Sequence, residues 1–260
     1  RITLFATDLA VHERTVYLTV VDRLSGWFTG ITIVNAQSFP LRYTLHKDMV
    51  SEGYRPLVHD RRLYIKGKLP QARVTEDKFF AGVMGFDLSN PLEPQWLGAA
   101  GHQAVDNNAL DFDLVGQGKL LLHMTASGRL LPIEVLGDGR LQLLGDWQGG
   151  QPPPSLKLNM DLKGLVRSAA APGRLYLLQP RMGDSPIMSI DVRDPLHPKQ
   201  LPSFGVGLDL QASEVEMISR DMSPDLGCDL AATADGRLFL ASGNDGVLVE
   251  LDVRDLANEH

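Results

Sequence analysis

The chain has a single cysteine, Cys228, in 260 residues. One thiol excludes an intrachain disulfide and any metal site built on several cysteines. Its neighbours Leu226, Gly227, Asp229 and Leu230 read as the start of a strand, which predicts a buried, inert thiol. Aromatic residues are scarce at 7%, too few to line a sugar-binding groove generously. No apolar run approaches the roughly 18–20 residues that a membrane-spanning helix needs, so no membrane insertion is expected. No run of lysine and arginine stands out either, and the formal charge is −7. The electrostatic footprint of a nucleic-acid binder is therefore missing. The chain opens on Arg1 without a charged-then-apolar leader, which reads as a mature or excised segment.

What is present is turn chemistry and short strands. Glycine (25) and proline (16) are plentiful, beside 43% hydrophobic and 22% charged residues. That balance favours many short strands over long helices.

A repeat organises them. A triplet, usually with an aromatic residue between two aliphatic ones, recurs as Val16-Tyr17-Leu18, Leu63-Tyr64-Ile65, Leu120-Leu121-Leu122, Leu175-Tyr176-Leu177 and Leu238-Phe239-Leu240. In four copies a basic residue precedes it: Arg62, Lys119, Arg174 and Arg237. A following strand closes on Asn35, Asp87, Glu134, Asp191 or Asp252, at intervals of 47 to 61 residues. Such spacing suits the roughly 40–50-residue blade of a propeller. A fourth strand is read at Leu41–Tyr43, Gln95–Leu97, Leu141–Leu144 and Lys199–Leu201, and none is seen in the fifth copy. The fold expected is all-β: a five-bladed β-propeller of four-stranded antiparallel blades in one domain. The repeats run roughly over 1–54, 55–108, 109–163, 164–227 and 228–260, and residues 1–4 are expected to complete the last blade. Each blade has two apolar faces that only neighbouring blades can cover.

The segments Asp87-Leu88-Ser89-Asn90-Pro91 and Asp191-Val192-Arg193-Asp194-Pro195 resemble the strand-ending signature of LVIVD-type propeller repeats. Asp252-Val253-Arg254-Asp255-Leu256 is a weaker copy. The resemblance implies a propeller fold and a bacterial surface or secreted setting, hence an extracellular, cell-surface or periplasmic location, and no particular activity. The residues supply their own rationale: an aspartate at a strand end accepts N–H groups two residues on, and proline fixes the turn. These aspartates are read as structural.

Three stretches depart from the repeat: 66–81, 146–159 and 205–227. Insertions in repeat proteins commonly gather on a binding face, so Phe79, Phe80 and Trp147 are candidate contacts. Alongside them stand Arg55 and Arg167, since arginine and large aromatics dominate interface energetics. On the first strand of each repeat, Asp8, Arg55, Asp113, Arg167 and Asp229 would form a ring of mixed charge about an axial channel. Structural pairing of these charges is the preferred reading, because a buried charge needs a partner.

The alternative is a propeller glycoside hydrolase with Asp8, Asp113 and Asp229 at the channel mouth, that chemistry needing two carboxylates across a sugar bond. Against it stand the few aromatics. His12 and His59 occupy the same turn of two repeats, and the remaining histidines show no ligand spacing, so neither metal nor cofactor is expected. No phosphate-binding glycine loop or nucleophile elbow occurs. The function expected is a non-catalytic recognition or scaffold module for a protein or glycan partner, as a monomer or as a module of a larger chain.

Overall fold

The computed structural model describes residues 4–22, 28–38, 42–46, 49–50, 52–68, 80–103, 109–115, 120–125, 130–144, 167–178, 187–194, 197–204, 228–242 and 247–254. Among these residues all regular structure is β. Strands β1 (Leu4–His12), β2 (Thr15–Asp22), β3 (Phe28–Asn35) and β4 (Arg42–His46) form the first sheet. The second holds β5 (Glu52–His59), β6 (Arg62–Lys68), β7 (Phe80–Asp87) and β8 (Gln95–Gln103). The third holds β9 (Ala109–Val115), β10 (Leu120–Thr125), β11 (Leu130–Val135) and β12 (Leu141–Leu143). The fourth holds β13 (Arg167–Ala171), β14 (Arg174–Leu178), β15 (Ile187–Asp191) and β16 (Lys199–Gln200). The last is β17 (Cys228–Ala232), β18 (Arg237–Ser242) and β19 (Val247–Asp252).

Every sheet is a meander in which strands adjacent in sequence are adjacent in space. This is a β-propeller arrangement of antiparallel sheets, with four complete four-stranded blades and a three-stranded fifth sheet rather than five complete blades. Leu4 pairs with Asp22 inside the first sheet. Among the described residues nothing from the N-terminus adds to β17–β19; residues 1–3 and 255–260 lie outside them.

The register repeats with the sequence. Tyr17 stands opposite Ala10 and Ile33, Tyr64 opposite Leu57 and Gly85, Tyr176 opposite Ala169 and Ser189, and Phe239 opposite Ala231 and Glu250. The central triplet residue thus has one cross-strand environment in four sheets, and its two neighbours point to the opposite face.

The contacts divide the chain into two compact units: residues 1–112 with 133–144, and residues 113–132 with 145–260. In the first unit, Tyr17, Ile31 and Ile33 of the first sheet pack with Leu63, Ile65, Met84, Phe86 and Leu88 of the second. The Tyr17 hydroxyl, fully buried with its ring, donates to the Pro91 carbonyl at 2.8 Å, fixing the next sheet's turn to the tyrosine of the one before. Tyr64 faces the other way, and its ring lies near Gly85 together with Leu141 of β12. In the second unit, Ala169, Tyr176, Leu178 and Ile187 pack with Leu230, Leu238, Leu240 and Val253. Both cores follow one rule. The central triplet residue covers the next sheet, and the flanking aliphatics receive the previous one.

The strand ends explain the repeat's most regular feature. Asn35, Asp87, Asp191 and Asp252 each accept the backbone N–H of the residue two further on: Gln37, Ser89, Arg193 and Arg254. The residue between, at Ala36, Leu88, Val192 or Val253, donates its N–H to the turn joining the first two strands, at Arg14, Arg61, Gly173 or Gly236. One side chain and one backbone bond thereby lock two turns together in four sheets. The third sheet departs: Glu134 is exposed, β11 runs on to Val135, and Asp138 caps a tight hairpin through Arg140.

Candidate functional site

The candidate residues lie on the inner strands, where register decides which side chains share a rung. Asp8 is opposite Thr19, Arg167 opposite Leu178 and Asp229 opposite Ala241. Measured from Tyr17, Tyr176 and Phe239, all three partners are the second residue beyond the centre. Asp8, Arg167 and Asp229 therefore occupy one equivalent rung. Asp113 lies in β9. Arg55 is offset from that rung, because β5 bulges between Tyr54 and Pro56.

In the bulge Arg55 takes a left-handed backbone, with φ 49°, a conformation that an L-residue with a side chain adopts at a cost of about 1–2 kcal/mol. Strain of this kind re-aims a side chain away from the alternation that regular pleating dictates. β1 also carries a register shift, between Ala6 and Asp8, one rung away from the level of the β5 bulge.

Asp8 is half-buried, and its Oδ1 accepts the N–H of Leu9 at 2.8 Å. The Asp8 carbonyl receives the hydroxyl of the fully buried Thr19 at 3.3 Å. Asp8 and Arg55 are both engaged by neighbouring groups.

The sequence reading placed Lys66 in a charged insertion. Lys66 is instead part of β6, opposite Tyr54 and Val83, fully buried at 0% exposure and engaged by a neighbouring group. It occupies the rung that Thr19, Leu178 and Ala241 hold in other sheets. A charge at a position that is uncharged elsewhere in the repeat was the signal available. A lysine so buried is retained only with a partner, since desolvating an unpaired ammonium is prohibitive.

Phe80 is the first residue of β7, opposite Gln103. Phe79 and Trp147 lie outside the described residues, as do most of the three insertions. Asp8 and Arg55 lie on the neighbouring strands β1 and β5, and Arg167 and Asp229 on the neighbouring strands β13 and β17. Among the described residues no group of three or more His, Cys, Asp or Glu side chains could hold a metal ion. No helix there is long and apolar enough to cross a membrane.

The resolved titration shifts lie on the turns and in the blade cores. The side-chain hydrogen bond from Arg193 holds Asp191 at about 2, and Arg254 does the same for Asp252. Asp87 is lowered by its hydrogen bonds from Ser89. Burial raises Tyr17, Tyr64 and Tyr176. These shifts belong to strand-end caps and blade cores.

No known family's sequence pattern matches the chain, and no curated protein matches it. Solved structures do. KlHsv2 with loop 6CD replaced by a Gly-Ser linker aligns at a TM-score of 0.50 and 8% identity, over 94% of this chain and 64% of that one. The β-propeller domain of Cps50 (Swd1) from Myceliophteria thermophila aligns at 0.45 and 13%, over 95% and 73%. A putative glycosidase from Bacteroides thetaiotaomicron aligns at 0.47 and 10%, over 95% and 85%. The chain thus spans less than two thirds of KlHsv2. At these identities the likeness concerns fold alone.

Proposed function

We propose that the chain is a five-bladed propeller, the three-stranded sheet being its fifth blade, and that it serves as a non-catalytic recognition module for a protein or glycan partner. The observation that supports this reading is the sign of the charges along neighbouring inner strands. Twice an acid and a base sit on neighbouring inner strands, Asp8 with Arg55 and Arg167 with Asp229, on or next to one rung of the repeat. A glycosidase separates two carboxylates by their protonation, one kept neutral as the acid. An arginine within reach of such a carboxylate favours its ionised form and so works against that role. Alternating fixed charges on rigid strands suit recognition of a partner's polar groups.

The propeller glycoside hydrolase is the competing reading, with Asp8, Asp113 and Asp229 as its carboxylates. Native protein, Arg55→Ala and Arg167→Ala are compared for binding across a glycan array and for partner capture, with reducing-end release recorded in parallel. Saturable binding that either arginine substitution weakens at least tenfold, without sugar release, is the expected result. Reducing-end release abolished by Asp8→Asn or Asp229→Asn would replace recognition with hydrolysis.

A further inference from the structure

Among the described residues the last sheet has three strands where its siblings have four, and the position of the fourth is defined residue by residue. In the fourth sheet the backbone of β15 faces outward at alternate residues. Ser189 accepts the N–H of Leu201 at 2.9 Å, and Ile187 exchanges two bonds with Phe204, at 2.9 and 3.1 Å. The shared register makes Leu248 the counterpart of Ile187 and Glu250 that of Ser189, since Ile187 and Ser189 stand opposite Leu178 and Tyr176 while Leu248 and Glu250 stand opposite Ala241 and Phe239. The amides and carbonyls of Leu248 and Glu250 therefore point away from β18, along an edge with which no described strand pairs. Such an edge is a template for one more strand.

Two of the four siblings carry a basic residue and a ring on that strand: Arg42 opposite Asn35 and His46 opposite Ile31 in the first, Lys199 opposite Asp191 and Phe204 opposite Ile187 in the fourth. The second has Gln95 opposite Asp87 and Ala100 opposite Val83, and the third has Gln142 opposite Glu134. The matching positions on β19 are Asp252 and Leu248. Ile31 and Ile187 are wholly buried, whereas Leu248 is 68% exposed, the most exposed large hydrophobic among the described residues. The side chain of Glu250, midway, is exposed and within 3.5 Å of Arg237.

From this we infer that the edge of β19 left uncovered by the described strands is a docking site for an extended segment of another polypeptide, added antiparallel as a fourth strand. The segment places lysine or arginine opposite Asp252 and a ring four residues later opposite Leu248. Backbone bonds to Leu248 and Glu250 supply affinity, and the basic residue and the ring set the register. Leu248 shares the rung of Asp229 across Ala241 but lies on the far edge of the sheet, so the occupancy of this edge does not depend on the inner-strand charges.

The chain's own fourth strand of the first sheet is a ready probe, because Arg42 and His46 have this spacing. A fluorescein-labelled peptide with the sequence of residues 41–47 is titrated against the full chain and followed by anisotropy. Saturable binding is expected, lost when alternate peptide amides are N-methylated and weakened about tenfold when the position of Arg42 carries glutamate. Charge reversal on the protein, Asp252→Lys, should weaken the native peptide and restore the glutamate peptide. The restoration also excludes displacement of β4 from its own sheet. Glu250→Pro, which removes one outward N–H, should weaken both peptides. No saturable binding, or binding indifferent to N-methylation and to paired charge reversal, would overturn the site. Circular dichroism of each variant confirms that the fold is retained.

Discussion

Tyr17 shows how much a single repeat residue does. Its ring fills the space between two sheets, and its hydroxyl, fully buried, needs the Pro91 carbonyl as acceptor. Tyr17→Phe keeps the ring and leaves that carbonyl without its donor, so a loss of about 1 kcal/mol is expected by chemical denaturation. Leu238 belongs to the core that the fourth and last sheets share. Leu238→Ala should cost about 2–5 kcal/mol; a loss below about 0.5 kcal/mol would mean that the side chain is not packed there. Asp191 links charge to folding. Its carboxyl is held at about 2 by Arg193, below the unfolded value near 4. A depressed folded pKa adds stability that is present above the unfolded pKa and is lost as pH falls through the folded one. The contribution should therefore disappear between about pH 4 and pH 2. Asp191→Asn should flatten the acid limb of the stability curve in that window and leave its shape at higher pH unchanged.

At the scale of strands and turns, most of the fold was legible because the same chemistry recurs. The strand-ending residues Asn35, Asp87, Asp191 and Asp252 were readable as turn caps, and each makes the expected bond to the N–H two residues on. The triplets were readable because period-two alternation marks which residues change face. Less legible were the register shifts beside Asp8 and at Arg55, since an inserted residue leaves no mark in a hydrophobic pattern. Lys66 was misplaced for a related reason: composition reads a lysine as loop or surface, and only the rung it occupies shows that it is buried. The repeat boundary read roughly at residue 54 lies within β5, which begins at Glu52. Turn glycines carry a test of their own. Gly236 has φ 85°, and a Cβ built on it would lie 2.4 Å from Cγ of Arg254, the residue whose guanidinium holds Asp252. Gly236→Ala should cost about 1–2 kcal/mol from the backbone alone and release the Arg254–Asp252 pair, so that the Asp252 carboxyl titrates closer to an ordinary aspartate by NMR.

For the whole molecule the central claim is that one register is built again in every sheet, since that register places Asp8, Arg167 and Asp229 on a common rung and leaves β19 with an outward edge. The sequence pointed to these inner-strand charges as candidates. Their equivalence needed the cross-strand pairs, because the first two strands are joined by turns of different length: His12 pairs with Thr15, whereas Ala232 pairs with Leu238. Amide hydrogen exchange resolved by residue tests the register directly. Protected amides are expected on the second strand of all five sheets, including β10, where Leu121 stands at the central triplet position. On β19, Val249 and Leu251 should exchange slowly and Leu248 and Glu250 fast, because only the first two face β18. Exchange on β10 or β18 at the rate of an unfolded chain, or slow exchange at Leu248 and Glu250 with fast exchange at Val249 and Leu251, would contradict the shared register and the sites read from it.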